Sequence, residues 1–273
     1  MTDPVRAIAD AVLYEGYILW PYRSSALKNQ RRWTFGGVYP EAHAREHPDD
    51  ASLMRTECLH DGDPAGVEVT VRFLHVVRRD DGWEEAAERE LAPGAIAIPA
   101  GREGDRSWEA LDGAIEVRSE PLGDGLHRLA VEIVNRTPVP LGMPRAEVLA
   151  RTFCSTHTIL RTATGAFRSG VEAGDACASV GTWPVLVGEP GARDTLLSSP
   201  IILEDHPAVA PESPGDLFDG VEIDELLVLN ILALTDEERA EMRDTDPRAR
   251  AILERTEALT PEQLMRLHGR VGP

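Results

Sequence analysis

The spacing of apolar positions changes along the chain, and each change marks a different element. Val5, Ile8, Ala9, Val12 and Leu13 recur at helical spacing and form one stripe. Asp3 stands at the capping position and Pro4 at the first helical position, which predicts a short amino-terminal helix ended by Gly16. From about residue 66 the period falls to two, with Val67, Val69, Val71 and Phe73 alternating with Glu68, Thr70 and Arg72. That is the pattern of a half-buried strand. Ile115 and Val117 share a face before Gly123-Asp124-Gly125, and Leu129, Val131 and Ile133 follow it, which predicts a β-hairpin. Residues 148–160, 166–169, 182–188 and 196–203 are further short strand candidates. Residues 41–52, with His43, Glu46, His47, Pro48, Asp49 and Asp50, have the polarity of a solvated loop.

Towards the carboxyl end the helical period returns. Ile223, Leu226, Leu227 and Ile231 share a face, Thr235 and Glu238 match a capping box, and Asp246-Pro247 and Thr260-Pro261 open further helices. The predicted fold class is therefore α+β: an antiparallel, sandwich-like β-rich body with a short amino-terminal helix and a helical carboxyl-terminal region. Four segments follow: 1–62, the first helix and an aromatic, basic stretch; 63–204, the β-rich body; 205–220, a strap; and 221–273, the helical end. Pro207, Pro211 and Pro214 lie in the strap, where His206, Ala210 and Ser213 are each pushed towards extended backbone by the proline that follows. Val209, Leu217 and Phe218 give it apolar groups to bury.

Composition narrows the function. The chain carries 28 Lys and Arg against 47 Asp and Glu, for a net charge of −19 over 273 residues. Such a field repels nucleic acid and anionic lipid, so neither is an expected partner. No apolar run reaches the roughly 20 residues of a membrane helix, and the amino terminus lacks an export pattern, so the expected location is cytoplasmic. Cys58, Cys154 and Cys177 form no CxxC pair, and no cofactor is expected. Neither a GxGxxG nor a GxxxxGK[ST] phosphate loop occurs.

Four groups of residues are candidates for chemistry. The first is the aromatic and basic stretch with Tyr17, Trp20, Tyr22, Arg23, Lys28, Asn29, Arg32 and Trp33. Seven of the fourteen aromatic residues and the sole lysine lie in the first 39 positions. Aromatic and Arg anchors supply most interface energy, so this stretch is a partner-binding candidate; packing across the body is the alternative. The second is the acidic stretch 204–225, where Asp216 and Asp219 stand among clustered carboxylates with His206, and where hard-cation binding competes with helix capping. The third is Cys154-Ser155-Thr156-His157. In a regular strand Ser155 and His157 share a face but stand roughly 6.5–7 Å apart, too far for a nucleophile–base couple. The fourth is Cys58 beside Glu57 and His60, a reactive thiol or a small buried side chain.

The segments Tyr14-Glu15-Gly16-Tyr17, Ser25-Ala26-Leu27-Lys28-Asn29-Gln30, Arg32-Trp33-Thr34-Phe35-Gly36 and Gly181-Thr182-Trp183-Pro184-Val185-Leu186-Val187-Gly188 have a familiar form. With Ala210-Pro211-Glu212-Ser213-Pro214-Gly215-Asp216-Leu217-Phe218-Asp219-Gly220, the chain resembles a family of uncharacterised bacterial proteins encoded near high-affinity, actinobacterial-type [NiFe]-hydrogenase genes. The resemblance implies an accessory role in hydrogenase assembly, maturation or scaffolding, with a hydrogenase subunit as partner. It carries no catalytic residue. The leading expectation is a non-catalytic accessory protein that binds a partner through its amino-terminal region. The rival is a metal-dependent or hydrolytic enzyme that joins His157, Glu57 and the 204–225 carboxylates in one cleft. A third reading is a carbohydrate-binding sandwich that stacks sugars on Trp83, Trp108 or Trp183.

Overall fold

The computed structural model describes residues 4–13, 36–207, 231–232, 234–245 and 247–258. The chain divides into two units, one of residues 1–13 and 35–207 and one of residues 14–34 and 208–273. No helix among the described residues is long and apolar enough to cross a membrane.

The first unit is a sandwich of two antiparallel sheets. Its strands are β1 (Leu53–Asp61), β2 (Val67–Arg79), β3 (Glu84–Leu91), β4 (Gly94–Ile98), β5 (Gly101–Glu103), β6 (Arg106–Trp108), β7 (Leu111–Gly123), β8 (Leu126–Asn135), β9 (Cys154–Thr162), β10 (Ala166–Phe167), β11 (Trp183–Leu186) and β12 (Thr195–Ser199). One sheet runs β10-β1-β8-β7-β4; the other runs β11-β12-β9-β2-β6-β5, with β3 also paired to β2. The predicted hairpin is present: β7 and β8 pair from Gly113↔Asn135 to Gly123↔Leu126. Gly123, Asp124 and Gly125 all take positive φ, the backbone that this reversal requires. The body begins earlier than residue 63, because β1 lies second in its sheet and pairs with β8 along nine residues.

Between the sheets lies one core, with Met54 and Cys58 of β1, Val71 and Phe73 of β2, Ile115 of β7, Val131 and Ile133 of β8, and Leu160 of β9. Phe73 stacks on Phe153, ring centroids 4.8 Å apart. Gly113 permits this packing. A Cβ there would stand 2.3 Å from the Val134 carbonyl and 3.0 Å from the Phe153 ring. Gly113→Ala must therefore displace backbone and ring together, and should destabilise the body by about 1–3 kcal/mol, as overpacked sites do. Denaturant unfolding of the variant checks this; an unchanged midpoint would contradict the packing described.

The amino-terminal helix α1 (Pro4–Leu13) supplies a second layer. Val5, Ala9 and Val12 pack with Ile159, Val185, Val187 and Leu197 on the outer face of the larger sheet. This cover is why β9 and β12 are buried along nearly their whole length instead of alternating.

Three local readings change. Residues 145–149 are a helix, α3, so the strand expected from 148 starts at Cys154. The 41–52 stretch contains α2 (Glu41–Glu46); residues 45–49 are exposed as expected, but His43 and Asp50 anchor the stretch. His43 is 4% exposed and its Nε2 lies 2.9 Å from Asp50 Oδ2, while Arg145 pairs with the same carboxylate and donates from Nη2 to the Tyr39 hydroxyl at 2.6 Å. At His206 the backbone is left-handed, φ +57°, instead of extended. Its N–H donates to the Leu186 carbonyl at 2.7 Å, and Asp205 Oδ1 accepts from Leu186 N at 2.9 Å, so bonds to β11 hold the turn.

The body also holds the short helix α4 (Gly170–Ala173); in the second unit, the described residues include α5 (Asp236–Thr245) and α6 (Pro247–Glu257). The expected capping box opens α5: Thr235 N donates to Glu238 Oε2 at 2.8 Å and Glu238 N to Thr235 Oγ1 at 3.3 Å. Met242, Ile252 and Leu253 are fully buried, and Arg243 bonds Glu257 across the pair. The expected helix around Ile223–Ile231, the one after Thr260 and the strap from residue 208 onward lie outside the described residues, save Ile231 at the end of the first.

Candidate functional site

Apolar side chains usually leave the surface wherever a sheet can bury them, so a group left outside draws notice. Val171, Trp183 and Ile202 are 91%, 44% and 71% exposed, and all three line one cavity of about 620 Å³. Such a volume falls in the range of ligand pockets. Its walls come from β1, α4, the 174–182 segment, β11 and residues 202–205. Each wall is held by a bond that the local sequence explains.

Ser169 caps α4: its hydroxyl accepts from Glu172 N at 3.2 Å, and Glu172 Oε2 accepts from Ser169 N at 3.0 Å. Arg193 then chelates Glu172 through two bonds of 2.8 and 2.7 Å, which keeps its carboxyl below the usual carboxylate range together with the Ser169 N–H. This fixed turn presents Val171 to solvent. Arg168, also on the cavity, is neutralised by Asp61 through two bonds of 2.9 Å. Beneath the apolar wall, Ser198 Oγ lies 2.8 Å from both Thr56 Oγ1 and Thr182 Oγ1, a buried hydroxyl bridge from one sheet to the other.

Trp183 and Pro184 belong to β11, an edge strand. Val187 N bonds the Thr195 carbonyl, so by alternation Pro184 and Leu186 turn their backbone groups outward. Pro184 has no N–H to offer there, and Asp205 and His206 occupy both groups of Leu186. The edge is thereby closed to strand addition. What remains available is the side-chain surface around Trp183.

Of the residues singled out in the sequence, Glu57, Cys58 and Trp183 line this cavity, together with Glu204 and Asp205 from the start of the 204–225 acidic stretch. Glu57 Oε2 accepts from Ala178 N at 2.7 Å, and its own N–H donates to Ser179 Oγ at 3.0 Å. Cys58 is 2% exposed, and burial pushes its thiol well up. His157 is elsewhere, on β9 opposite Arg72, and does not line the cavity. Its ring is fully buried; Nδ1 lies 3.3 Å from the Ser155 carbonyl and Nε2 has no partner. Burial, with the Arg72 charge, lowers its pKa to about 3, so the ring is neutral at pH 7. Regular alternation fails beside it, because Ser155 sits at φ +50° where the β2–β9 register shifts, and its hydroxyl bonds the Val12 carbonyl. Ser155 and His157 are therefore not a nucleophile and its base.

Tyr17, Trp20, Tyr22, Arg23, Lys28, Asn29, Arg32 and Trp33 lie outside the described residues, as do Asp216 and Asp219. Among the described residues, no group of three or more His, Cys, Asp or Glu side chains is placed to hold a metal ion. Trp108 is half-buried, its Nε1 donates to the Pro99 carbonyl at 3.1 Å and Arg89 stacks on its ring, so it is not an open stacking platform. Trp83 is also half-buried, and of the three only Trp183 is exposed.

No protein-family model matches the chain, and no curated protein matches it.

Sequence reasoning passed over Val171, Cys177 and Ile202. One signal was available: Trp183-Pro184 combines an aromatic with a residue that suits sheet edges. The convergence of Val171 and Ile202 on that edge had no local signature.

Proposed function

We propose that this protein is an accessory binding protein and that its β-body seats an apolar group of a partner in the Trp183 cavity. The observation that supports this reading is the clustering of Val171, Trp183 and Ile202, exposed, around the mouth of one cavity. Burying such side chains in an interface is favourable by about 1.5–3 kcal/mol each at full burial. The rest of the mouth is fixed by capping, chelation and hydroxyl bridges, so little ordering is needed on binding. The partner class implied by the resemblance, a [NiFe]-hydrogenase subunit during assembly or maturation, is the first to test.

The test is co-purification of hydrogenase subunits with the tagged chain from its host. Trp183→Ala with Ile202→Asp should lower recovery at least tenfold while the fold, followed by circular dichroism, is kept. Trp20→Ala with Trp33→Ala in a parallel arm reports what the amino-terminal stretch adds. Wild-type recovery by the folded Trp183→Ala, Ile202→Asp protein would overturn the cavity as the binding site.

A further inference from the structure

We propose that Cys58 and Cys177 are a dithiol pair in the cavity wall that closes to a disulfide when a hydroperoxide reaches the cavity. Both residues line it, and both are free cysteines. One antiparallel bridge, followed by side-chain bonds, brings their two segments together. Arg55 and Val180 exchange two hydrogen bonds, Arg55 N to Val180 O at 3.0 Å and Val180 N to Arg55 O at 2.7 Å, as an antiparallel bridge. Three residues onward along β1 is Cys58; three residues back along the facing segment is Cys177. The backbone of Cys177 is extended, φ −127° and ψ 136°, as this continuation requires. Glu57 N bonds Ser179 Oγ, which keeps the two segments side by side.

At an odd offset from a hydrogen-bonded pair, facing residues form a non-hydrogen-bonded pair, with Cα atoms about 4.5 Å apart in a regular ladder and side chains on one face. A disulfide spans Cα separations of about 4.4–6.8 Å. Here the Glu57 carboxylate, not its carbonyl, takes the Ala178 N–H, so a side chain stands between the two backbones just before the cysteines. The thiols bear on one another electrostatically: after burial, Cys177 is the next cause that pushes the Cys58 thiol up. Burial and then Glu57 raise the Cys177 thiol, while Arg128, which donates from Nη1 to the neighbouring Ala176 carbonyl at 2.9 Å, acts to lower it; the net direction is up.

The chemistry follows from access. Cys177 is half-buried and Cys58 buried, so Cys177 meets the oxidant first. Its sulfur attacks one peroxide oxygen, the O–O bond breaks, and with hydrogen peroxide a sulfenic acid and one water form. Cys58 sulfur then attacks the sulfenic sulfur, the S–O bond breaks, and the second water leaves with the remaining thiol proton. Two thiols and one peroxide thus give one disulfide and two waters. Because both thiols titrate above their ordinary range, the reaction should quicken as pH rises towards 9. Closure draws the 174–179 wall onto β1. On the reading that the cavity is the binding site, which this consequence rests on, oxidation lowers partner capture.

The test treats the folded full chain with hydrogen peroxide at pH 7 and pH 9, then blocks residual thiols after unfolding and maps peptides. The expected result is a linked Cys58–Cys177 peptide, formed faster at pH 9 and reversed by a thiol reductant, with buried Cys154 left as a thiol. Cys177→Ser should abolish the link without disturbing the fold. Sulfinic acid at Cys177 with Cys58 still blockable, a link to Cys154, or no linked peptide at either pH would overturn the pair. Those results leave the binding reading standing. Conversely, undiminished capture by the Trp183→Ala, Ile202→Asp chain sinks the binding reading and leaves the mapped disulfide untouched.

Discussion

Between pH 6.5 and 4 the β-body should lose about 3 kcal/mol of stability for each of His75 and His157, at about 1.4 kcal/mol per pH unit and per histidine. Burial, and then the charge of Arg89, lowers the His75 pKa to about 4; burial, and then Arg72, lowers that of His157 to about 3. Unfolded, both titrate near 6.5. The unfolded chain therefore binds more protons across this window, so the stabilisation is complete above pH 6.5 and is lost as pH falls. Both rings are 0% exposed, and protonation would set a second positive charge beside a buried or partly buried guanidinium. Denaturant unfolding at a series of pH values measures the slope. His157→Gln should reduce it by about one third to one half, whatever the variant does to the stability at pH 7. An unchanged slope from 6.5 to 4 in that variant would contradict the neutral buried ring.

Phe153→Ala should destabilise the body by about 3–5 kcal/mol, a large share of the 5–15 kcal/mol that holds a typical domain. Phe153 is fully buried and stacked on Phe73, and its ring also approaches Gly113 of the opposite sheet. Its backbone is bonded to Val38 in both directions, so the position cannot easily collapse into the space left behind. Phe73→Ala should cost a similar amount. A double-mutant cycle between the two should show coupling of about 0.5–1.5 kcal/mol from the ring pair. Additive losses would mean that each ring is held by its other neighbours alone.

Arg72 shows what alternation cannot express. In sequence it occupies a polar slot in the Val67–Phe73 pattern and so reads as solvent-facing. It is 1% exposed: α1 lies over that face and offers Asp10, and the adjacent strand β3 offers Glu88 and Glu90 to its guanidinium. The same cover buries Ile159 and Leu197, which alternate with core residues Leu160 and Leu196. Asn135 is a second case. A polar residue at the end of a strand pattern, it is wholly buried and donates to the carbonyls of Val38 and Arg151, both at 2.8 Å.

Period-two spacing, turn chemistry and capping residues act within a few positions, and they determined the helix at Pro4, the β7–β8 hairpin, the β2 strand and the Thr235–Glu238 cap. Antiparallel, β-rich architecture followed from them, since short alternating strands must bury one face against another sheet. Long-range pairing lay beyond that reach. Glu57 and Cys58 are more than a hundred positions from Ala178 and Trp183, and long-range contacts such as the Arg55–Val180 bridge and the Glu57–Ala178 bond place them on one cavity. The irregular backbone at Ser155 likewise has a tertiary setting, the register shift against β2. Tertiary structure decided the site because its walls are held by bonds between distant segments, and no local pattern records which segments will meet.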